Sequence, residues 1–262
     1  MHKENQIFPN NQAQDQKIAG IFENINSEFL DLIKNDLLNP KPLMICSGGT
    51  SSRCAVEGHW TLDLRKKYRK IEFDVLNNEI NIEAGVSMQK LLEKALTFNR
   101  SFPIGLSGET GIGYILTGGI SPLSRKYGLA IDNILEITGI WGNGEKFKLR
   151  EPCDKTGKEK KLLWKGLCGA AHFLAIITNI TLKTQSLKPI YAWETSLSKS
   201  QLAETILMAE GWPNSASLYW SWGNKIKAYG IFELDNSEDF DDYESIVKEI
   251  PKANDFQTYK VS

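Results

Sequence analysis

The sequence predicts an α+β fold, and three observations support that prediction. Residues 71–84 and 134–149 each hold two short segments of alternating apolar residues around a turn, a pattern typical of antiparallel hairpins. Residues 87–96 place apolar side chains at helical spacing behind Ser87, which can cap a helix. From about residue 186 onward, strand and helix patterns recur in a stretch rich in tryptophan and tyrosine, which predicts a second lobe.

The amino-terminal part of the chain leads into a glycine turn. Residues 1–26 are polar, and the first dozen of them are expected to be frayed. Ser27 is expected to cap a helix over residues 27–37, whose acidic first turn suits a helix N-terminus. Residues 43–45 are apolar and predict a short buried strand, which runs directly into the sequence "CSGGTS" at residues 46–51.

The rest of the chain follows the same mixture of elements. A long apolar segment at residues 175–184 predicts a strand that closes the first region. The second lobe is predicted to contain three strands and two helices, at residues 192–197 (strand), 199–210 (helix), 217–222 (strand), 225–234 (strand) and 238–250 (helix).

Composition and charge disfavour several classes of protein. The formal net charge of −1 gives no reason to expect binding to nucleic acid or to an anionic membrane. The basic runs at residues 65–70 and 155–161 are expected to be solvated charges. No stretch approaches the ~20 apolar residues that a membrane span needs. The first residues lack the apolar core of a secretory signal, so a cytoplasmic location is expected.

The cysteines and histidines give no sign of a metal site. The four cysteines show no CxxC spacing, so free thiols are expected. The three histidines are scattered along the chain and do not form a metal-binding pattern. A metal-dependent enzyme is therefore disfavoured.

Three glycine-rich segments are the candidates for chemistry: residues 46–51, 102–133 and 163–178. Glycine permits positive φ and lets a ligand approach the backbone closely, and successive exposed N–H groups form anion-binding concavities. A diphosphate needs such a surface, but each segment alone is also explained by tight turns in a β-rich protein. No dinucleotide-binding GxGxxG in the right context and no GxxxxGK[ST] are present.

Taken together and in order, these segments resemble the FAD-binding domain of the p-cresol methylhydroxylase and vanillyl-alcohol oxidase superfamily, especially its berberine-bridge-like branch. "CSGGTS" is similar to the family's pyrophosphate turn, and "FPIGLSGETGIG" to its proline-x-glycine loop. "GGISPLSRKYGLAIDNILE" is the most similar stretch, and "LLWKGLCGAAHFLAIIT" is similar to the segment along the nucleotide. The resemblance covers residues 27–184.

The resemblance implies a fold and a cofactor. Residues 27–185 would form a PCMH-type FAD-binding domain of two α+β subdomains, and residues 186–262 a partial antiparallel α+β substrate lobe. The residues that it assigns to FAD are Ser47, Gly48, Gly49, Thr50 and Ser51 at the pyrophosphate; Ser107, Gly108, Thr110, Gly111 and Gly113 along the flavin; Gly118 at the cofactor; and Ile177 near the adenine.

Two departures bear on how FAD would be held. Thr50 stands where the family has the histidine that bonds to the flavin, and Ser107 stands where it has the second attachment cysteine. FAD is therefore expected to be non-covalent. In addition, Tyr114, Ile120 and Ala175 replace family glycines.

The function that the resemblance implies is oxidation of a small organic substrate, such as an alcohol or a sugar, by hydride transfer to the flavin. Two alternatives stay open: a degenerate FAD-binding protein without turnover, and an NADPH-dependent reductase of the same cofactor fold. No catalytic residue is assigned. The expected partner is a small molecule, not nucleic acid or a membrane, and the incomplete C-terminal lobe could support self-association or binding of a partner chain.

Overall fold

The computed structural model describes residues 7–35, 37, 43–236 and 239–261, which form two compact units. The first unit consists of the described residues up to Gly119 together with Ala130–Gln185. The second consists of Ile120–Leu129 and the described residues from Ser186 onward. Residues 120–129 therefore form a short excursion into the second unit. The chain then returns to the first unit for residues 130–185 and continues in the second unit from Ser186. The domain limits 1–26, 27–185 and 186–262 stay predictions.

The described residues contain strands and helices throughout. The strands are β1 (Gly20–Phe22), β2 (Leu43–Cys46), β3 (Trp60–Asp63), β4 (Ile71–Asp74), β5 (Glu79–Glu83), β6 (Arg100–Ser101), β7 (Ile134–Trp141), β8 (Lys146–Arg150), β9 (Ala175–Lys183), β10 (Gln185–Ser186), β11 (Ile190–Leu197), β12 (Tyr219–Ser221), β13 (Ile226–Glu233) and β14 (Gln257–Lys260). The α-helices are α1 (Asn11–Gln14), α2 (Ser27–Lys34), α3 (Met88–Leu96), α4 (Ile112–Leu116), α5 (Ser124–Tyr127), α6 (Lys158–Leu174), α7 (Lys199–Glu210) and α8 (Asp239–Glu249). Short 3-10 helices span Ser52–Cys54 and Ala130–Asn133.

Two sheets organise the first unit. β1, β3 and β2 form a parallel sheet in that order, and β4, β5, β9, β7 and β8 form an antiparallel one. Both predicted hairpins are confirmed, with Asn78 at φ 55° in the β4–β5 turn and Gly144 at φ 81° in the β7–β8 turn. β9 lies between them and joins the two hairpins into one sheet.

Local capping chemistry places the helices of this unit. The Ser87 hydroxyl accepts a hydrogen bond from the Lys90 amide at the start of α3, as predicted. At α2, the cap is Asn26 and not Ser27, because the Asn26 side chain accepts from the Phe29 amide at 2.9 Å. Asparagine is at least as good a cap as serine. Ser27 is therefore the first residue of the helix and not its cap.

The expectation of a frayed amino terminus is wrong for residues 7–12. Phe8 is only 2% exposed and packs with Ala13 and with the cysteines of the glycine turn. Further along, β1 pairs in parallel with β3 and so adds an edge to the parallel sheet. Phe8 is one aromatic residue in a polar stretch and gives no periodic pattern, so only its burial in the structure shows that this segment is packed.

The second unit is an antiparallel sheet, ordered β12-β13-β11-β14, with α7 and α8. α7 begins with a capping box in which Ser198 and Gln201 satisfy each other's amides. Trp193 and Phe232 are buried in the hydrophobic core of the second unit. Tyr219 stacks on Tyr229 with ring centroids 5.7 Å apart. Trp193 is therefore a core residue of this sheet.

The excursion through residues 120–129 is fastened to the second unit by polar contacts. The Arg125 guanidinium donates to the carbonyls of Trp212 at 2.9 Å and of Ala216 at 3.1 Å. Glu233 is 0% exposed, and its Oε2 accepts from the Tyr127 hydroxyl at 2.6 Å and contacts the Lys126 ammonium at 2.7 Å. The conspicuous "RKY" sequence thus anchors the excursion within this unit.

No helix in the described ranges is both long and apolar enough to cross a membrane. Within those same ranges, no three metal-binding side chains come together.

Candidate functional site

The first two glycine segments meet backbone to backbone in the first unit. A β-carbon added to Gly48 would lie 2.4 Å from the Gly111 amide nitrogen, and one added to Gly111 would lie 2.1 Å from the Ser47 hydroxyl oxygen. These distances leave no room for a side chain, so both positions require glycine. The structure therefore brings Ser47 and Gly48 against Thr110 and Gly111, which are far apart in sequence.

The second segment is held by the start of α3. The amides of Met88 and Gln89 donate to the carbonyls of Thr110 at 2.8 Å and Gly108 at 2.9 Å. The first N–H groups of this helix are therefore used by the protein itself and are not free for an anion. The Thr110 hydroxyl donates to the Ser107 carbonyl at 3.2 Å, which closes the turn of the segment.

The amino-terminal segment packs onto the far side of the first glycine turn. The Asn10 amide donates to the Gly49 carbonyl at 3.1 Å, and its side-chain amide donates to the Thr50 carbonyl at 3.1 Å. Gly49 has φ +74°, a conformation that favours glycine. Ser51 caps the following 3-10 helix by accepting from the Arg53 amide at 3.2 Å. Thr50 and Ser51 thus take part in shaping the turn.

A cleft of about 480 Å³ lies beside these segments in the first unit. Its walls include Ser47, Gly48 and Gly108 from the predicted site. The other lining residues are Pro9, Arg65, Arg69, Ile71, Gly85, Val86, Ser87, Gln89, Lys90 and Glu109. Arg65, Arg69 and Lys90 line the cleft together with Glu109, and Asp63 and Glu93 form ion pairs with Arg65 and Lys90. The basic side chains therefore offer the cleft N–H donors, which suit an anionic ligand, without a large surplus of positive charge.

Among these basic residues, Arg65 is held by hydrogen bonds to both Asp63 and Ile7. Its Nε and Nη2 donate to the two carboxylate oxygens of Asp63 at 2.9 and 2.7 Å, and Nη2 also donates to the Ile7 carbonyl. The hydrogen bonds to Asp63 raise the pKa of the guanidinium, whose side chain is only 20% exposed. A bidentate pair of this kind fixes the direction of the guanidinium, with Nη1 beside Gly49.

The Ser47 hydroxyl is buried and has no hydrogen-bond partner among the described residues. A buried hydroxyl without a partner costs about 1–3 kcal/mol, so such groups are rare without a reason. Because Ser47 also lines the cleft, a ligand oxygen there would supply the missing partner.

Other predicted site residues lie nearby or elsewhere in the first unit. Gly113 is exposed in the first turn of α4, two residues after Gly111, and a β-carbon built on it would meet no atom within 4 Å. Gly118 has φ +122° and is similarly open. Ser107 is exposed at the start of the second segment. Ile177 lies in β9 and is buried in the hydrophobic core, and the described contacts do not bring it to the cleft.

The third glycine segment forms a kinked helix that the sequence did not predict. α6 departs from helical geometry at Cys168, Gly169 and Ala170, with Gly169 at φ +117°. Burial raises the pKa of the Cys168 thiol to about 11, so it is protonated at neutral pH. The family resemblance places Tyr114 at a position where the family has glycine. In the structure its ring packs beside Gly105 and Gly119.

Sequence reasoning missed the contribution of the basic run at residues 65–70. Lys66 and Lys70 are solvated as expected, whereas Arg65 and Arg69 line the cleft. A usable signal was present, because Arg65 follows the buried Asp63 by two residues at the end of β3.

Comparisons with known proteins agree on one type of domain. Residues 37–150 match the family model of the FAD binding domain. Over 163 residues, 59% of this chain, the sequence is 31% identical to the FAD-linked oxidoreductase nodO of Hypoxylon pulicicidum, and the match covers 35% of that protein. It is also 31% identical over 126 residues to berberine bridge enzyme-like 24 of Arabidopsis thaliana, covering 46% of this chain and 22% of that protein.

The fold is also similar to that of a solved structure. The structure of Physcomitrella patens BBE-like 1 superposes with a TM-score of 0.81 at 16% identity, covering 98% of this chain and 57% of that one. The chain therefore spans about a third or less of the length of these curated relatives, and about half of this solved one.

Proposed function

Residues 37–150 match the family model of the FAD binding domain, and the chain is similar to FAD-linked and berberine-bridge-like oxidoreductases. We propose on this basis that it oxidises a small organic substrate with non-covalently held FAD. The observation that carries the proposal is the Ser47 hydroxyl, which is buried without a partner among the described residues and belongs to a residue that lines a cleft containing Arg65, Arg69 and Lys90. An alcohol, a sugar or a similar small molecule is the proposed substrate.

The residues of the cleft fit a diphosphate-containing cofactor. The Ser47 hydroxyl would donate to a phosphate oxygen, and Gly48 would let that oxygen approach the backbone. Arg65 would offer charge from a fixed direction, because Asp63 holds its guanidinium. The open surface at Gly113 would admit the rest of the cofactor without steric conflict. Predicted contacts at Gly118, Ser107 and Ile177 stay predictions.

Bound FAD would supply the hydride acceptor for a substrate C–H bond, and the chain's own residues supply binding and orientation. The turn of residues 46–51 is held from behind by Asn10, so it presents a preorganised surface. Glu109 is the carboxylate among the described residues that line the cleft, where its charge would disfavour a second negative group nearby.

We propose non-covalent binding because the two attachment positions carry hydroxyls. Covalent attachment at the flavin methyl needs a nucleophilic ring nitrogen, phenolate or thiolate, whereas Thr50 and Ser107 have hydroxyls of very high pKa. Acid precipitation of the flavin-loaded protein should leave the yellow colour in the supernatant. Colour that stays with the precipitate would refute non-covalent binding without affecting the rest of the proposal.

The main experiment is an absorbance spectrum of the purified protein, followed by release and identification of its chromophore. FAD in near-stoichiometric amount supports the cofactor assignment, and bleaching by an alcohol or sugar under anaerobic conditions supports oxidation. Binding of FAD without reduction by any donor would favour a binding protein without turnover. Bleaching by NADPH alone would favour a reductase. A protein that binds no FAD on reconstitution would overturn the proposal.

Two finer expectations also belong to this proposal. A cytoplasmic location is proposed as well, and fractionation of the native host would test it. Self-association is proposed for the second unit, because β12 and β14 are the outermost strands of its sheet in the described residues. Light scattering at several protein concentrations would test it, and a constant monomer mass would contradict it.

A further inference from the structure

Another cleft lies wholly within the second unit, on the face of its sheet that the helices cover. Its volume is about 470 Å³, which is within the range of sites that hold small molecules. Residues of helix α8 and of strands β11 and β14 line it. The proposed oxidation uses none of these residues, so the cleft is a candidate for a separate binding site.

Three aromatic side chains form one wall of this cleft. The ring centroid of Tyr191 lies 5.4 Å from that of Phe240 and 5.0 Å from that of Tyr243, and the Phe240 and Tyr243 centroids are 5.7 Å apart. Tyr243 is buried, whereas Tyr191 and Phe240 are only half-buried. Two of the three rings therefore keep accessible surface, on which a further flat ring can pack in the offset or edge-on geometry that aromatic pairs prefer.

Lysine side chains stand beside the aromatic wall. The strand register places Lys260 of β14 directly opposite Tyr191, so both side chains leave the sheet on the same face. Lys248 and Lys252, from α8 and the loop after it, also line the cleft. Lys248 pairs with Glu244 at 3.3 Å, whereas Lys252 and Lys260 form no ion pair among the described residues. These two ammonium groups therefore keep N–H donors for the anionic group of a ligand.

Acidic residues limit how much negative charge the cleft can accept. Glu244 lines it together with the lysines. Four more carboxylates belong to α8 but do not line the cleft: Asp239, Asp241, Asp242 and Glu249. A multiply charged group such as a phosphate would be repelled by this negative charge, whereas a single carboxylate needs only a few N–H donors. A flat aromatic ring with one carboxylate therefore suits both the aromatic wall and the lysines.

We propose that this cleft binds a small aromatic carboxylate. The ring packs on Tyr191 and Phe240, and the carboxylate accepts hydrogen bonds from the Lys252 and Lys260 ammonium groups. The site lies within one unit and shares no residue with the cleft proposed for FAD, so it stands independently of the proposed oxidation.

The test is a calorimetric titration of the protein with naphthalene-2-carboxylate, and with naphthalene-2-carboxamide as a neutral ligand of the same shape. We expect the carboxylate to bind with a Kd below about 1 mM and the carboxamide to bind at least about fivefold more weakly. Raising the NaCl concentration from about 0.05 M to about 0.5 M should weaken binding of the carboxylate but not of the carboxamide, because salt screens only the interaction between charges.

Charge-reversal variants locate the binding site. The double variant Lys252→Glu and Lys260→Glu should lower the affinity for the carboxylate about tenfold, since it replaces two attractive charges by repulsive ones. Lys227→Glu is the matched control. Lys227 is an exposed lysine of β13, and its register with β11 places it on the opposite face of the sheet. This control should bind the carboxylate as the unmutated protein does.

The aromatic wall is tested by Phe240→Leu, which keeps an apolar side chain but removes the ring. It should weaken binding of both ligands about three- to tenfold, because the contact between rings is lost. If circular dichroism shows that this variant is unfolded, the charge variants still decide the question, because their substituted side chains are exposed.

Four results would overturn the proposal. The carboxylate could show no binding at a concentration of about 5 mM. The carboxamide could bind as tightly as the carboxylate. The Lys227→Glu control could lose as much affinity as the double variant. A folded Phe240→Leu protein could bind both ligands as tightly as the unmutated protein.

Discussion

Gly113→Ala is the substitution that best separates a ligand-binding role from a structural one. At most glycines of the site a side chain would collide with the protein itself. Gly49, for instance, has φ +74°, and an added β-carbon would lie 2.8 Å from both Arg65 and Pro9. A loss of binding on substitution of Gly49 would therefore report strain. At Gly113 the added methyl group meets nothing within 4 Å, and the backbone is helical.

The structure gives the expected sign and size of two effects. Alanine is favoured over glycine in a helix by about 0.5–1 kcal/mol, so the variant without ligand should be more stable, with Tm higher by roughly 1–4 °C. If FAD lies against the exposed backbone of α4, the same methyl group occupies ligand space. The affinity for FAD should then fall at least about tenfold, which corresponds to about 1.4 kcal/mol.

The assay is a titration of the apo-protein with FAD, followed by flavin fluorescence, together with thermal unfolding without ligand. Gly142→Ala is the control, because Gly142 is also exposed, has open space around its Cα and lies in the β7–β8 turn. The control should bind FAD as the unmutated protein does. A Gly113→Ala protein with raised Tm and unchanged affinity would refute the placement of FAD at α4.

Three further predictions follow from polar groups in the two units. Ser47→Ala should weaken FAD binding about five- to tenfold while the apo-protein becomes no less stable, because the buried hydroxyl has no partner to lose; calorimetric titration and thermal unfolding would show a different result if the hydroxyl served only the fold. Tyr127→Phe removes the hydroxyl that donates to the buried Glu233 carboxylate, whose other oxygen has no partner among the described residues. The free energy of unfolding, measured by urea titration, should fall by about 1–3 kcal/mol; an unchanged midpoint would contradict this. Lys126 and then Lys188 lower the pKa of Asp235. A carboxylate whose pKa is lowered on folding gives stability that is present above the ordinary value of 3.8 and is lost as pH falls through the lowered pKa. Asp235→Asn should therefore destabilise the protein at pH 7, and the destabilisation should shrink progressively as pH falls below 3.8; a destabilisation that stays constant down through this range would count against the ion pairs.

The family resemblance found in the sequence is confirmed, and the local elements that support it were also predictable. The hairpins β4–β5 and β7–β8 and the helices α3 and α7 rest on contacts between residues close in sequence. Alternation, helical spacing and capping side chains report such contacts directly. The glycine segments were also visible, because a turn that needs positive φ or close backbone approach needs glycine whatever surrounds it.

Only the tertiary structure decided which segments distant in sequence come into contact. The sequence does not show that Gly48 lies against Gly111 or that Asn10 binds the back of the glycine turn. It also does not show that Tyr127 anchors a short excursion to Glu233 in the second unit. These contacts depend on how whole elements pack, and packing is fixed by shape and burial summed over many residues. The contacts between distant segments depend on the whole sequence at once, so no local pattern of residues predicts them.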